Sequence, residues 1–301
     1  FEGRSESGAM LAPGFEEKIL ESIKGIEAIT VIACGTSYHA ALIMKYWVEQ
    51  IIGIPCRVEV ASEYRYKKPI VGKNELFVAV SQSGETADTL AALRKAKGKV
   101  SSVISVINVT ESSIARESDF VLPIKAGHEI GVASTKAFTS QLAVLASMVI
   151  HFGTKRETLS GTKIAELINA LISAPRLISD ILAKESEFKN FALKLRNATD
   201  ALFLGRGTLY PLALEAALKL KEISYIHAEG YPSGELKHGP IALVDSNMPI
   251  ICFAPYNNLF EKTISNVEEV LARAGNVLLI TDQEGSDRLP ENHLPKIIMP
   301  T

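Results

Sequence analysis

From about residue 28 onward, short runs of β-branched and apolar residues alternate with segments whose apolar positions recur every three to four residues. Ile29-Thr30-Val31-Ile32-Ala33 reads as a buried strand, and residues 38–50 as the helix that follows it. Arg57-Val58-Glu59-Val60, residues 76–80 and residues 103–107 are the next strands, with a helix over 88–97 between the last two. Unbroken apolar runs suit strands covered on both faces, as in a parallel sheet with crossover helices. From Thr135 to about Asn197 the pattern is helical only. There, residues 164–171 and 177–182 repeat apolar positions at spacings of three and four, with Pro175 between them. Strands resume at Ala201-Leu202-Phe203-Leu204, 250–253 and 277–281, with helices over 212–224 and 260–274. The pattern predicts a doubly wound α/β architecture in two halves joined by helical packing.

The halves overlie each other at a shift of 172 residues. Gly35-Thr36-Ser37-Tyr38 falls on Gly207-Thr208-Leu209-Tyr210, Ala41-Leu42 on Ala213-Leu214, and Glu63 on Glu235. The strand at 77–80 lands on 249–252, and no gap is needed over about 50 residues. An internal duplication follows, each half a three-layer αβα sandwich around a mainly parallel, flavodoxin-like sheet.

Composition narrows the classes. A chain of 301 residues exceeds the ~150 expected per domain, which fits two domains. With 32 Lys and Arg against 34 Asp and Glu, the net charge is −2, and there is no basic run for nucleic acid. The longest strongly apolar helical stretch, 141–152, is shorter than the ~20 residues that span a bilayer. Phe1-Glu2-Gly3-Arg4-Ser5 lacks the apolar core of a signal peptide. Cys34, Cys56 and Cys252 are odd in number and far apart, which suits reduced thiols. The histidines and cysteines form no metal-ligand spacing. A cytoplasmic enzyme or ligand-binding protein, without nucleic-acid or membrane partners, is the expectation.

The segment Val78-Ala79-Val80-Ser81-Gln82-Ser83-Gly84-Glu85-Thr86 carries the clearest chemistry. A strand ends, a loop supplies three hydroxyls and a glycine, and a helix begins. Ligands of open α/β sheets bind outside the carboxyl ends of the strands. A helix start adds free N–H groups and a positive dipole end, so the segment suits a phosphate monoester. Simple capping would need one hydroxyl, not three. The lysine of a nucleotide-binding P-loop is missing. Cys34-Gly35-Thr36-Ser37 is built the same way after the first strand, so Thr36 and Ser37 are positioned to face the same crevice. Cys34 as a nucleophile has no base near it in sequence.

In the second half, Phe253-Ala254-Pro255 stands where Ser81-Gln82-Ser83 stands in the first. That half concentrates titratable groups instead. Glu215, Lys219 and Glu222 share one helix face at spacings of four and three, as either a solvated ion-pair stripe or an acid–base site. His238, before Gly239-Pro240, is a loop histidine suited to proton transfer.

Together, Cys34-Gly35-Thr36-Ser37, Ser81-Gln82-Ser83-Gly84-Glu85-Thr86, Gly131-Val132-Ala133-Ser134-Thr135-Lys136-Ala137-Phe138, residues 215–227 and Glu235-Leu236-Lys237-His238-Gly239-Pro240 resemble the sugar-isomerase half of the glutamine–fructose-6-phosphate aminotransferase (glucosamine-6-phosphate synthase) family. The likeness runs from about Phe15 to Thr301 with its motifs in order. The serine loop alone would indicate only the wider sugar-isomerase (SIS) superfamily. The resemblance implies three parts: an interdomain segment over 1–27, a phosphate-binding SIS subdomain over 28–156, and an acid–base SIS subdomain over 157–301.

It also implies roles. Ser37, Ser81, Gln82, Ser83 and Thr86 would hold the sugar phosphate, with Thr36 the further substrate-binding candidate from its place in the crevice, and Val132 and Ser134 would contact the sugar. Glu222 would move a proton between C1 and C2, Lys219 would stabilise developing charge, and His238 would open the ring, donated across a homodimer. Fructose 6-phosphate and ammonia from a glutaminase domain would give glucosamine 6-phosphate, without cofactor or metal. Family members carry that glutaminase domain ahead of this region and a ring-opening lysine in a tail after it. Neither is seen in this sequence, so binding is expected to survive better than catalysis. The alternatives are a stand-alone sugar-phosphate isomerase or deglycase, and a non-catalytic sugar-phosphate sensor.

Overall fold

The computed structural model describes Ile19, residues 23–290 and residues 294–301. Most of the expected interdomain segment, 1–27, lies outside the described residues. The chain divides into two compact units, Phe1–Ile172 and Ser173–Thr301.

In the first unit, β1 (Ala28–Ala33) leads into helix α1 (Gly35–Trp47), which a π turn extends over Val48–Ile52. Strand β2 (Cys56–Val60), β3 (Glu75–Ser81), helix α2 (Ala87–Ala96), β4 (Ser102–Ile107), β5 (Phe120–Pro123) and helix α3 (Lys136–Lys155) follow. The strands lie in the order β2-β1-β3-β4-β5, all parallel. Every residue of β3 and β4 is buried, which is why both read as dominantly apolar runs. Phe77, Leu93, Val103 and Ile107 form the core on one face of this sheet. Burying a side chain such as Phe77 contributes roughly 1.5–3 kcal/mol.

Helices α4 (Gly161–Leu182) and α5 (Glu185–Leu195) come next, and the division between the units falls within α4. The two apolar stretches flanking Pro175 belong to this one helix. Proline removes one backbone bond and crowds the preceding turn, a local cost of about 3 kcal/mol. The rest of the long helix outweighs it, and Ser179 Oγ donates to the Pro175 carbonyl at 3.1 Å.

The second unit repeats the design. It holds β6 (Asp200–Gly205), helix α6 (Leu209–Ser224), β7 (His227–Pro232), β8 (Pro249–Phe253), helix α7 (Phe260–Leu271), β9 (Asn276–Asp282) and β10 (Lys296–Met299). The order is β10-β9-β8-β6-β7, again all parallel. Taken from its own first strand, each sheet has the same order, so the duplicated αβα sandwiches expected from sequence are the fold. Successive residues of β6 serve opposite faces: Leu202 and Leu204 pack with Phe260 and Val267, whereas Ala201 and Phe203 pack with Ala213 and Ala217. Strands β1 and β6 match at the shift of 172, but β4 and β9 begin 174 apart, at Ser102 and Asn276.

Helix α3 corrects one expectation. It has 20 residues and, among the described residues, is the one helix long and apolar enough to cross a membrane. The 141–152 stretch understated it because flanking Lys136, Thr139 and Lys155 break the apolar run, not the helix. Of its 18-residue apolar window 56% is buried inside the protein, and Gln141, Ser147 and His151 of the helix are buried too. It packs as a core helix beside α1.

Candidate functional site

In each sheet the strand order reverses once, in the first between β1 and β3. Chains leaving two adjacent strands there depart to opposite faces and open a crevice at the carboxyl edge. The loops after β1 and β3 both carry hydroxyl groups, and a cavity of about 220 Å³ lies between them. Thr36, Ser37, Ser81, Gln82, Ser83, Thr86 and Ser134 all line it, with Cys34, Val80 and Thr89. Its size is below the roughly 300–1,000 Å³ of drug-sized sites and suits a phosphate with its nearest atoms.

The serine loop is held from within. Ser81 Oγ accepts from Gly84 N at 3.1 Å and lies 3.2 Å from Thr86 Oγ1, while Ser83 Oγ accepts from Glu85 N at 3.2 Å. Gly84 has φ +68°, and a Cβ there would lie 1.9 Å from Ser112 Oγ, so both conformation and space require glycine. Neither Thr86 at the start of α2 nor Cys34 at the start of α1 caps its helix with a side chain. Simple capping is therefore not what these residues do. Two helix starts present their positive ends to the crevice, and no Lys or Arg is among its described lining residues.

Helix α3 contributes from below. Gln141 Nε2 donates to Ser37 Oγ at 2.9 Å inside the core, which leaves the Ser37 proton for a second partner. Ahead of α3, Glu129 accepts from Ser134 Oγ at 3.0 Å and from Thr135 N at 2.6 Å. Burial pushes the Glu129 carboxyl up, but the Thr135 amide, the Ser134 hydroxyl and the next amides outweigh that and hold it below its ordinary value. Val132 is 92% exposed and is not among the lining residues.

The second unit carries the acid–base candidates. Gly230 on β7 lets α6 lie close, since a Cβ there would meet Leu214 N at 2.7 Å. On α6, Lys219 Nζ lies 3.4 Å from Glu215 Oε1 and 2.5 Å from Glu222 Oε2, so the predicted stripe forms. Glu215 is buried and Glu222 half-buried, which favours a site over a solvated stripe. His238 is exposed at the end of the 3₁₀ turn Ser233–His238. Arg206 braces the start of that turn, donating to Ser233 Oγ at 3.3 Å and to Asn266 Oδ1 at 2.8 Å.

Sequence reasoning missed Gln141, Glu129 and Thr89. Gln141 was visible as an amide interrupting an apolar helix run, and Thr89 as a hydroxyl one turn from Thr86. Cys56 and Cys252 are buried thiols, each pushed up to about 12 by desolvation, for Cys56 with help from Glu49. Among the described residues, no group of three or more His, Cys, Asp or Glu could hold a metal ion.

Two parallel sheets of the same order, with a hydroxyl-lined pocket at one switch point, define a doubly wound α/β protein with a small polar crevice at its strand ends. The SIS domain family model matches residues 22–151 and 194–298, and the chain belongs to that family. It is 52% identical over 283 residues to the glutamine–fructose-6-phosphate aminotransferase [isomerizing] of Bradyrhizobium diazoefficiens, a match covering 94% of this chain and 46% of the relative. The C-terminal domain of glucosamine-fructose-6-phosphate aminotransferase from Francisella tularensis superposes with a TM-score of 0.94 at 43% identity, over 98% of this chain and 83% of that one. Tagatose-6-phosphate ketose/aldose isomerase from Escherichia coli, with a TM-score of 0.74 and 18% identity over 95% of this chain and 79% of its own, shares the fold alone. The resemblance read from the motifs is thereby borne out, and the chain spans about half the length of the full-length relative it matches.

Proposed function

We propose that this chain is the isomerase part of a glutamine–fructose-6-phosphate aminotransferase. Fructose 6-phosphate binds by its phosphate, ammonia from a glutaminase domain adds at C2 with loss of water, and the imine rearranges to glucosamine 6-phosphate. The observation that carries this reading is the pocket at the β1/β3 switch point, where seven hydroxyls and two uncapped helix starts converge. Phosphate binding is assigned to 28–156, through Thr36, Ser37, Ser81, Gln82, Ser83 and Thr86, with Ser134 and Val132 toward the sugar. The acid–base role is assigned to 157–301.

Moving a proton between C1 and C2 needs one carboxylate on one face of the sugar and a cation for the charge that develops. Glu222 with Lys219 Nζ at 2.5 Å supplies both, and the pairing supports Glu222 as base and Lys219 as stabiliser. His238 opens the ring and comes from the neighbouring subunit of a homodimer; its exposure in this chain is compatible with service to a second copy. The buried thiols suit a reducing cytoplasm.

The test follows fructose 6-phosphate and ammonium with the protein in deuterated water by NMR. Deuterium at C1 or C2 with formation of an aldose 6-phosphate, lost on Glu222→Gln, is the expected result. Tight binding of fructose 6-phosphate with no exchange at either carbon overturns the catalytic part and favours a sensor.

A further inference from the structure

Seven hydroxyl-bearing side chains line the first-unit pocket, and six have a partner within the protein. The exception is Thr89. It is 1% exposed, and its Oγ1 has no hydrogen-bond partner. A buried hydroxyl left unpaired costs free energy, so such groups are few and call for an explanation. A helical threonine ordinarily solves the problem itself by donating to the carbonyl three or four residues back. Thr89 does not do so.

Its place in the fold suggests what the hydroxyl is for. Thr89 is the third residue of α2, one turn beyond Thr86, and so faces the crevice from the helix whose dipole points there. With no cation among the described lining residues, a bound dianion is held by hydrogen bonds and the two helix starts, and each donor counts. We infer that Thr89 is a further ligand of the sugar phosphate, donating its hydroxyl to a phosphate oxygen from the floor of the pocket. The inference rests on the phosphate reading of this pocket and adds to it a residue that the motif-based assignment left out.

The experiment compares wild type, Thr89→Val and Thr89→Ser by calorimetric titration with fructose 6-phosphate and with inorganic phosphate, and by thermal unfolding without ligand. Valine has the shape of threonine without the hydroxyl, and serine keeps the hydroxyl. A hydrogen bond to a charged group corresponds to roughly tenfold to a hundredfold in affinity. Thr89→Val should therefore weaken both ligands by about that factor. It should leave the unliganded melting temperature unchanged or higher, because it removes an unpaired buried polar group, and Thr89→Ser should restore most of the affinity. If the wild type binds and Thr89→Val binds within about twofold of it, the inference fails while the phosphate reading stands. A loss of affinity that comes with a lower unliganded melting temperature and that serine does not rescue also overturns it, as a packing effect. Absence of binding by the wild type would end the phosphate reading and this inference together.

Discussion

Replacing Gly84 with alanine probes the serine loop at its tightest point. Two costs arise from the geometry. A residue other than glycine at φ +68° pays about 1–2 kcal/mol for the left-handed conformation. The new methyl would lie 1.9 Å from Ser112 Oγ and 2.5 Å from Ser112 Cβ, and Ser112, 1% exposed, has no open space to retreat into. Overpacking of this kind costs roughly 1–3 kcal/mol, so the total is about 2–5 kcal/mol. For a unit of this size each kcal/mol lowers the melting temperature by roughly 2–4 °C, giving a fall of about 4–20 °C. The loop bonds from Gly84 N to Ser81 Oγ and from Ile114 N to the Gly84 carbonyl would be strained too, so fructose 6-phosphate affinity should fall with stability. Circular-dichroism melts with and without ligand read both effects. The two costs separate in a double variant. Ser112→Gly removes both clashing atoms, after which the nearest neighbour is the Val109 carbonyl at 3.5 Å, an ordinary contact. Gly84→Ala in that background should cost only the conformational part, a favourable coupling of about 1–3 kcal/mol. An alanine variant that melts within about 1 °C of wild type, or a double variant with no coupling, would refute the reasoning.

Four other outcomes are expected. Glu222→Gln should lower proton exchange at C1 and C2 by roughly 10²–10⁴-fold while fructose 6-phosphate still binds, as turnover and titration would measure. Lys219→Met withdraws the cation between Glu215 and Glu222, and Glu215 is only 5% exposed, so chemical denaturation should show a loss of roughly 1–3 kcal/mol, partly recovered by adding Glu215→Gln. Because no Lys or Arg is among the described residues of the pocket, the dissociation constant for fructose 6-phosphate should change by less than about threefold between low and high salt. Glu129, held below its ordinary value of 4.5, adds stability that is full above that pH and is lost as pH falls through its lower folded value. Acid melts of Glu129→Gln should therefore lose the part of the pH dependence that lies below about 4.5.

The sequence made the central strands plain and the edges faint, for a physical reason. Strands β3, β4 and β8 are buried on both sides and show as dominantly apolar runs, broken in β4 only by the buried Ser105. Strands β5, β7 and β10 stand at or near sheet edges and are short or half-polar. β7 reads His227-Ala228-Glu229-Gly230-Tyr231-Pro232, with a glycine that admits α6 and a proline tolerated at an edge, so its pattern resembles a loop. The hydroxyl-lined pocket was legible because strand end, hydroxyls, glycine and helix start are contiguous in each loop. Its supports were not. Gln141 reaches Ser37 across 104 residues, and the missing partner of Thr89 Oγ1 is a property of packing that no motif encodes. The stripe on α6 was visible at helical spacing, but whether it was solvated depended on the burial of Glu215.

Thermal unfolding with fructose 6-phosphate against unphosphorylated fructose tests the central claim most directly. A ligand at a hundred times its dissociation constant stabilises the fold it binds by about 2.7 kcal/mol, several degrees for a unit of this size. The account predicts that shift with fructose 6-phosphate and none with fructose at the same concentration. Equal shifts with both sugars, or none with either, would contradict a phosphate site in the β1/β3 crevice.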